Sequence, residues 1–586
     1  MRIKKVKLNN FRNFKDETVH FGNNVVIVGG NDSGKTNLLY ALRLLLDDTL
    51  PESKLTPSPY DFNFESESGK FTIKLYLCSI NEECILAKLK DKVSEQGDTL
   101  IKFIGTYDKR SGKLDYGLYI GTSNSKLSKI ESRYYLRAMN LRYVESTRDL
   151  ESYIIKEKKW LLDKTKEERT PEECDTDDEQ IRNINRCLDC ISETVSNLNF
   201  VKQSTTLLND NLQNLSSRNS DKQVSFNAAG TDARIMLDRL TLSAKQNNNV
   251  FKLSGDGFSN QTHLSLWAAR NSIEKEDAEI VNKITIYCIE EIEAHLHPHH
   301  QRILAKFVNR YFADKQVIIT THSPQIASQF PPESIVALMN NGQTLSYGYK
   351  ASAKKLEEMV QFGYRMNAIS AEIYFAEVVF LVEGPSEVLF YTALSKSIGI
   401  DLDYYNVSII DVGGIGFAAY CDIASSLGKG VVIRTDLDIS KIPKKDQHGF
   451  AGAKRGYNIT KRIFNIDIFE RSKFKISDLT WDGGPADVSQ ESSDALMEAR
   501  SKLEKYDIYI SNVDLENDII RDTTFGEHVL DYFETSDTDE AVKYLQAKKA
   551  TNMYKLLMHK GDKLQSLANQ KIAEPLYKAK SLSESA

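Results

Sequence analysis

The chain has 586 residues, with 76 Lys and Arg against 82 Asp and Glu, for a formal charge of −6. Hydrophobic residues make up 41% and charged residues 27%, the composition of a folded chain, and at ~150 residues per domain the length calls for roughly three or four domains. A slightly acidic balance excludes bulk attraction to nucleic acid, so any contact with DNA would need local basic patches or bound metal.

No apolar run reaches the ~18 residues of a membrane-spanning helix. The stretch MRIKKVKLNNFRNF lacks the apolar core of a signal peptide, and seven cysteines at this length do not make a disulfide framework. A cytoplasmic protein with no membrane contact is expected. Residues 3–8 and 25–28 predict strands, 37–46 a helix, and 71–77 and 101–107 further strands. KTKEERTPEECDTDDEQ, residues 164–180, is charged and nearly free of apolar residues, so it is expected to be a linker or loop. Beyond it Ile181, Ile184, Leu188, Ile191, Val195 and Leu198 recur at intervals of three and four, the seam of a coiled-coil-like helix that Leu208, Leu212 and Leu215 continue. Spacing alone leaves open whether that seam packs within the chain or between subunits. Strand character returns at 284–289 and 317–321, and a second α/β region begins near Ala371, with strands at 378–382, 407–410 and 431–433.

Gly29-Gly30-Asn31-Asp32-Ser33-Gly34-Lys35-Thr36 fits a phosphate-binding loop between a predicted strand and a predicted helix. Its glycines let backbone N–H groups turn toward a phosphate, and the helix N-terminus adds partial positive charge. Lys35 would reach the β- and γ-phosphates and Thr36 would hold Mg²⁺, with Asn31, Gly34 and Asn37 beside them. KITIYCIEE then supplies an apolar strand ending in Glu290 and Glu291, one to hold a metal-bound water and the other to polarise the attacking water.

Ser254-Gly255-Asp256-Gly257 precedes this strand, Glu293-Ala294-His295-Leu296-His297-Pro298 follows it, and Thr320-Thr321-His322-Ser323-Pro324 ends the next. The order resembles the ABC-type ATPase heads. That resemblance implies ATP as ligand and dimerisation, with Ser254 and Gly255 completing a partner's site. It also implies that His322 contacts the γ-phosphate and that Glu291 is the hydrolytic glutamate.

In the second half, FLVEGPSE ends a strand in Glu383 and Glu387, IIDVGG ends another at Asp411, and VVIRTDLD ends a third in Asp436 and Asp438. Carboxylates at the C-terminal ends of parallel strands converge on one crevice. Clustered carboxylates repel unless cations compensate, and oxygen-only ligands suit Mg²⁺ or Mn²⁺. Asp514, Glu516 and Asp518 follow in DLEND, and Lys549 offers a nearby positive charge. The glutamate, the glycines and the D-x-D resemble the Toprim fold.

An ABC-type head followed by a Toprim domain resembles the OLD-family (overcoming lysogenization defect) nucleases, and within them those of Gabija anti-phage systems, along nearly the whole chain. NFRNF, NDSGKTNLLYALRLLLD, SGDG, TTHSP, FLVEGPSE, VGG and DLEND carry the likeness. It implies an α/β chain in four stretches: the first part of an ATPase head (1–163), a helical dimerisation insert (164–245), the rest of the head (246–348), and a linker with a Toprim nuclease domain (349–586). It further implies a metal-dependent DNA endonuclease controlled by nucleotide, assembled as a homodimer or tetramer, acting on double-stranded DNA with a UvrD-like helicase subunit. Glu383 would be the base or a metal-adjacent carboxylate. Glu387, Asp436 and Asp438 would ligate metal, Asp514, Glu516 and Asp518 would serve a second ion, and Lys549 would stabilise transition-state charge.

One departure stands out: Ile292 sits where the family commonly has proline after the paired glutamates, which bears on the rate of ATP turnover. The alternative is an SMC/RecF-like repair ATPase whose Toprim domain only binds DNA; a topoisomerase-like strand transferase would need a tyrosine nucleophile. Cys187-Leu188-Asp189-Cys190 lacks the second pair of a zinc site and is expected to be structural. Lys441, Lys444, Lys445, Lys454, Arg455, Lys461 and Arg462 crowd the segment after the D-x-D, where a DNA backbone could lie.

Overall fold

Burial alternates along Arg2–Phe11 and Lys70–Cys78, so each strand has one wet face and one core face. In a computed structural model these strands lie within a six-stranded antiparallel sheet, which runs Phe14–His20, Arg2–Phe11, Lys70–Cys78, Thr99–Asp108, Lys113–Ser123, Lys126–Ile130. The structure describes residues 1–66, 68–108, 111–144, 150–215, 223–226, 233–238, 240–246, 249–252, 262, 265–266, 269, 283–294, 296–339, 344–346, 367–414 and 416–585. They divide into two units: Met1–Ser146, Lys283–Glu293 and Pro298–Ala586 form one, Thr147–Asn282 and Ala294–His297 the other.

In the first unit the antiparallel sheet faces a second sheet, with helix Lys35–Leu46 contributing to their shared core. That second sheet runs Thr344–Ser346, Ile335–Leu338, Asn24–Gly29, Val317–Thr320, Ile284–Ile289, Met139–Val144, and all its pairings are parallel except the first. Val317–Thr320 lies between Asn24–Gly29 and Ile284–Ile289, so the phosphate-binding loop, Thr321 and Glu290 leave the sheet from one edge. Further along the chain, Val407–Asp411, Val378–Val382, Gly430–Thr435 and Ile508–Ile510 make a four-stranded parallel sheet in that order. Val378–Val382 is buried at every position, the pattern of a central parallel strand covered on both faces. Helices Pro385–Ser397, Lys549–Lys560 and Glu574–Glu584 contribute to its core.

The second unit is mainly helical: Leu150–Glu167, Pro171–Ser196, Asn199–Leu215 and Ala233–Asp238, with a hairpin of Ser243–Gln246 and Asn249–Lys252. The loop expected over 164–180 is therefore corrected, because most of those residues are helical. Thr170 caps the second helix: its Oγ1 accepts from Glu173 N at 3.3 Å, and Glu173 Oε2 accepts from Thr170 N at 2.9 Å. With Pro171 in the first turn, this T-P-E-E box starts a helix whatever its hydropathy. Replacing Thr170 by Ala should cost ~1 kcal/mol locally, read as faster amide exchange in the first turn after Pro171. The seam expected from Ile181 to Leu198 lies on this helix and just beyond it, with no residue of the helix fully buried. Ile191 is 52% and Leu198 43% exposed.

Candidate functional site

The loop after Asn24–Gly29 needs backbone that only some residues adopt. Gly34 has φ +99° and caps helix Lys35–Leu46, and a Cβ there would lie 2.3 Å from the Asn13 amide. Asn13 donates to Ser33 O at 3.1 Å and accepts from Asn37 at 2.8 Å, so the turn of the first hairpin braces the loop. Lys35 Nζ donates to Gly29 O at 3.1 Å and Gly30 O at 2.7 Å, folded back across the loop it would serve. Burial pulls its pKa down, against the upward pull of Glu291, Glu293, Glu290 and Asp32. Asn31 and Thr36 are exposed, and Thr36 Oγ1 donates to Glu290 across the intervening strand.

Glu290 is buried and also accepts from Tyr143. Glu291 takes positive φ, its N donates to Thr320 Oγ1 at 3.1 Å, and its carboxylate lies 3.9 Å from His322 Nε2. Burial and Lys35 lower the His322 pKa below its ordinary value while Glu291 raises it, so the ring is neutral near pH 7. Glu293, not singled out from sequence as a site residue, accepts from Thr321 Oγ1 at 2.8 Å and from His322 N, fixing the histidine loop. Glu293→Ala should loosen that loop, seen as faster exchange of the His322 amide. Ile292, between Glu291 and Glu293 in sequence, is 3% exposed. Ser254 and Gly255 lie outside the described residues, as does His295.

In the four-stranded parallel sheet the strand ends bring the predicted acids to one edge. Glu383 Oε1 accepts from Thr435 Oγ1 at 2.6 Å, from Asp436 N at 2.9 Å and from Arg455, whose other nitrogen pairs with Asp438 at 2.9 Å. Arg455 is thus a site residue. Arg462, in the same basic run, pairs with Asp422. Lys441, Lys444, Lys445 and Lys461 are exposed.

Glu387, Asp436 and Glu516 are buried, at 4%, 6% and 0% exposure, and all act on Lys549. Burial, then Asp436 and Glu516, push the Glu387 pKa up to about 8 against Lys549. Burial and Glu383 push Asp436 up to about 7, against Lys549 and a hydrogen bond from Ser511 Oγ at 3.0 Å. Burial alone would lower Lys549; Glu516, Asp436, Glu387 and Asp514 hold it above its ordinary value.

Two predicted acids are engaged elsewhere. Asp518 pairs with buried Arg434 and accepts from Asn512 N at 3.1 Å, while Asp514 caps Asn517 N at 2.8 Å and accepts from Gln546 at 2.6 Å. Among the described residues no group of three or more His, Cys, Asp or Glu stands ready to hold a metal. The carboxylates instead face Lys549, Arg455 and Ser511. The donor set nonetheless fits a hard cation: it is all oxygen, and Glu516 Oε2 is buried without a hydrogen bond, with Lys549 Nζ at 3.4 Å.

The model of the AAA ATPase domain matches residues 1–136 and 81–327, together more than half of the chain. The Toprim domain model of overcoming-lysogenization-defect-like proteins matches residues 374–438, which contain Glu383, Glu387, Asp436 and Asp438. Endonuclease GajA of Bacillus cereus (strain VD045) is 25% identical over 573 residues, 95% of each chain. The OLD nuclease of Thermus scotoductus is 22% identical over 478 residues, 76% of this chain and 83% of its own. A crystal structure of an Smc head bound to the C-terminal winged-helix domain of ScpA aligns with a TM-score of 0.36 at 17% identity, over 60% of this chain and 100% of that one, too slight a likeness to carry argument. The chain belongs to the AAA ATPase domain family, with a helical insert and a C-terminal Toprim domain.

Proposed function

We propose that this chain is a metal-dependent DNA endonuclease of an anti-phage defence system, restrained by nucleotide bound to its head. The observation that carries the nuclease reading is the burial of Glu387, Asp436 and Glu516 around Lys549, beside Glu383. A surface that only docks DNA gains nothing from desolvated acids, which repel a phosphate backbone and cost stability unless a cation joins them. Mg²⁺ or Mn²⁺ held by Glu387, Asp436 and Glu516, with Asp438 at the rim, would supply charge neutralisation and an activated water.

The chain's own groups do the rest. Three donors fix Glu383 Oε1, which orients Oε2 to take the proton from the attacking water. Lys549 is placed to balance charge that grows on the phosphate. Arg455 holds Glu383 and Asp438 together and is a positioning residue. Incubating plasmid with Mg²⁺ or Mn²⁺, with and without ATP, should give nicked and linear DNA. Intact plasmid in every condition would refute the reading.

Homo-oligomers and a UvrD-like helicase subunit complete the proposal. The half-exposed apolar seam on Pro171–Ser196 supports association of copies without nucleotide. Light scattering at micromolar concentration should show at least a dimer in the absence of ATP, and a monomeric mass would remove that part.

A further inference from the structure

The two most exposed large hydrophobic side chains among the described residues are Tyr60, at 89%, and Phe64, at 86%. They stand four positions apart on a short segment that is otherwise tightly fastened. Asp61 accepts from Ser58 N at 2.8 Å and from Arg12 Nε at 2.9 Å, and its carbonyl accepts from Arg12 N at 3.0 Å. Asn63 donates from its backbone to Asn10 O at 3.0 Å and from its amide to Arg12 O at 2.7 Å. Phe62 packs edge-on against Phe71 at 5.0 Å, pinned to the antiparallel sheet. A segment held by this many bonds is not fraying. It presents two bare aromatic rings on a rigid base, although leaving a large apolar side chain in water forgoes about 1.5–3 kcal/mol.

The rings flank a cleft of about 700 Å³ whose other wall is Arg12, Asn13 and Asn37. Those three residues are continuous with the phosphate-binding loop: Asn13 bonds Ser33 O, Asn37 lies in the first turn after Lys35, and Arg12 donates to Asn37 Oδ1 at 2.8 Å. Arg12 also stacks on Tyr40, with its guanidinium carbon 4.2 Å from the ring centroid, so it presents a flat cationic wall.

We propose that Tyr60 and Phe64 form the base-stacking subsite for a purine nucleoside triphosphate whose phosphates sit on the loop at Gly29–Thr36. The inference rests on the nucleotide-binding reading above and adds the residues that receive the base. The amides of Asn13, Asn37 and Asn63 are engaged with the protein. Recognition is therefore by ring face rather than by base edge, and purines are preferred over pyrimidines for their larger stacking area, with little discrimination between adenine and guanine.

Calorimetric titration of the full chain with ATP, GTP, CTP and inorganic tripolyphosphate separates this subsite from the phosphate loop. ATP and GTP should bind about equally, and each about tenfold or more above tripolyphosphate. Tyr60→Ala with Phe64→Ala should abolish that advantage and leave tripolyphosphate affinity unchanged, which also shows that the variant is folded. Tyr60→Phe with Phe64→Tyr should retain the advantage. Lys35→Ala should weaken tripolyphosphate and ATP alike; if it weakens neither, the nucleotide-loop reading fails. If it weakens both while the double alanine variant still binds ATP as the parent does, the stacking subsite alone is overturned, and the exposed rings then serve a different, macromolecular partner.

Discussion

Glu387→Ala and Asp436→Ala should each abolish plasmid cleavage, by more than the roughly 10- to 100-fold seen when only an outer-shell partner of a metal is lost, with ATP affinity unchanged. Both side chains are buried in the group that surrounds Lys549, so removal takes oxygen donors from a site that water cannot readily refill. Glu383→Ala should do the same by removing the base. Full cleavage by any of the three would sink the assignment.

The same burial gives a test independent of catalysis. Glu387 is raised from 4.5 to about 8 and Asp436 from 3.8 to about 7, so between those limits the folded chain holds protons that the unfolded chain releases. That stabilising contribution is full below the ordinary carboxylate range and is lost as pH rises toward 7–8. Glu387→Gln, which cannot ionise, should therefore gain in melting temperature over the parent as pH rises from 5.5 to 8.5 in a chelator. Added Mg²⁺ should close that gap, because a cation replaces the proton as the partner of the carboxylate.

What the chain declares about itself is local. Val378–Val382 and Ile284–Ile289 are short apolar runs that end in acids, and both their strand character and the acids' place at the sheet edge follow from that pattern. The phosphate-binding loop is legible for the same reason: its glycines, lysine and threonine are consecutive. What stays hidden depends on partners distant in sequence. Arg455 meets Glu383 across 72 positions, and Glu293 reaches His322 across 29; neither spacing is a motif. Phe14–His20 is largely polar, an edge strand that sends only Phe14 and Val19 into the core, five positions apart, so period-two reasoning passes over it. The helix at Pro171–Ser196 is a different case. Thr170, Pro171 and Glu173 announce its start, and the charged composition around them outweighs a signal that is present. Asp514 and Asp518 show the limit of counting acids, since an acid in a cluster can as well cap a helix or pair with a buried arginine.

ATP should inhibit cleavage by the parent at constant free Mg²⁺, and Lys35→Ala should escape that inhibition. Control of one site by a ligand at another requires two states that the ligand binds differently. The head supplies an element able to distinguish them. His322 faces Glu291 on one side, its loop is tied to Glu293, and Ser323 immediately caps the short helix Pro324–Ala327. That helix packs against Ser370–Tyr374, a turn that leads directly into Val378–Val382 and so to Glu383. A γ-phosphate drawing His322 toward it would pull on a chain of packed elements ending at Glu383, the proposed base. A coupling of about 1–3 kcal/mol changes occupancy of the active state by roughly 5- to 150-fold, enough for a switch. Holding free Mg²⁺ constant matters, since ATP that merely chelates metal would inhibit parent and variant alike. Equal inhibition of Lys35→Ala would therefore remove the head as the sensor. A second variant locates the route: Ile326→Ala, which hollows the buried face of Pro324–Ala327 away from both sites, should leave ATP affinity and ATP-free cleavage near parental levels while weakening inhibition. Undiminished inhibition in that variant would place the coupling elsewhere.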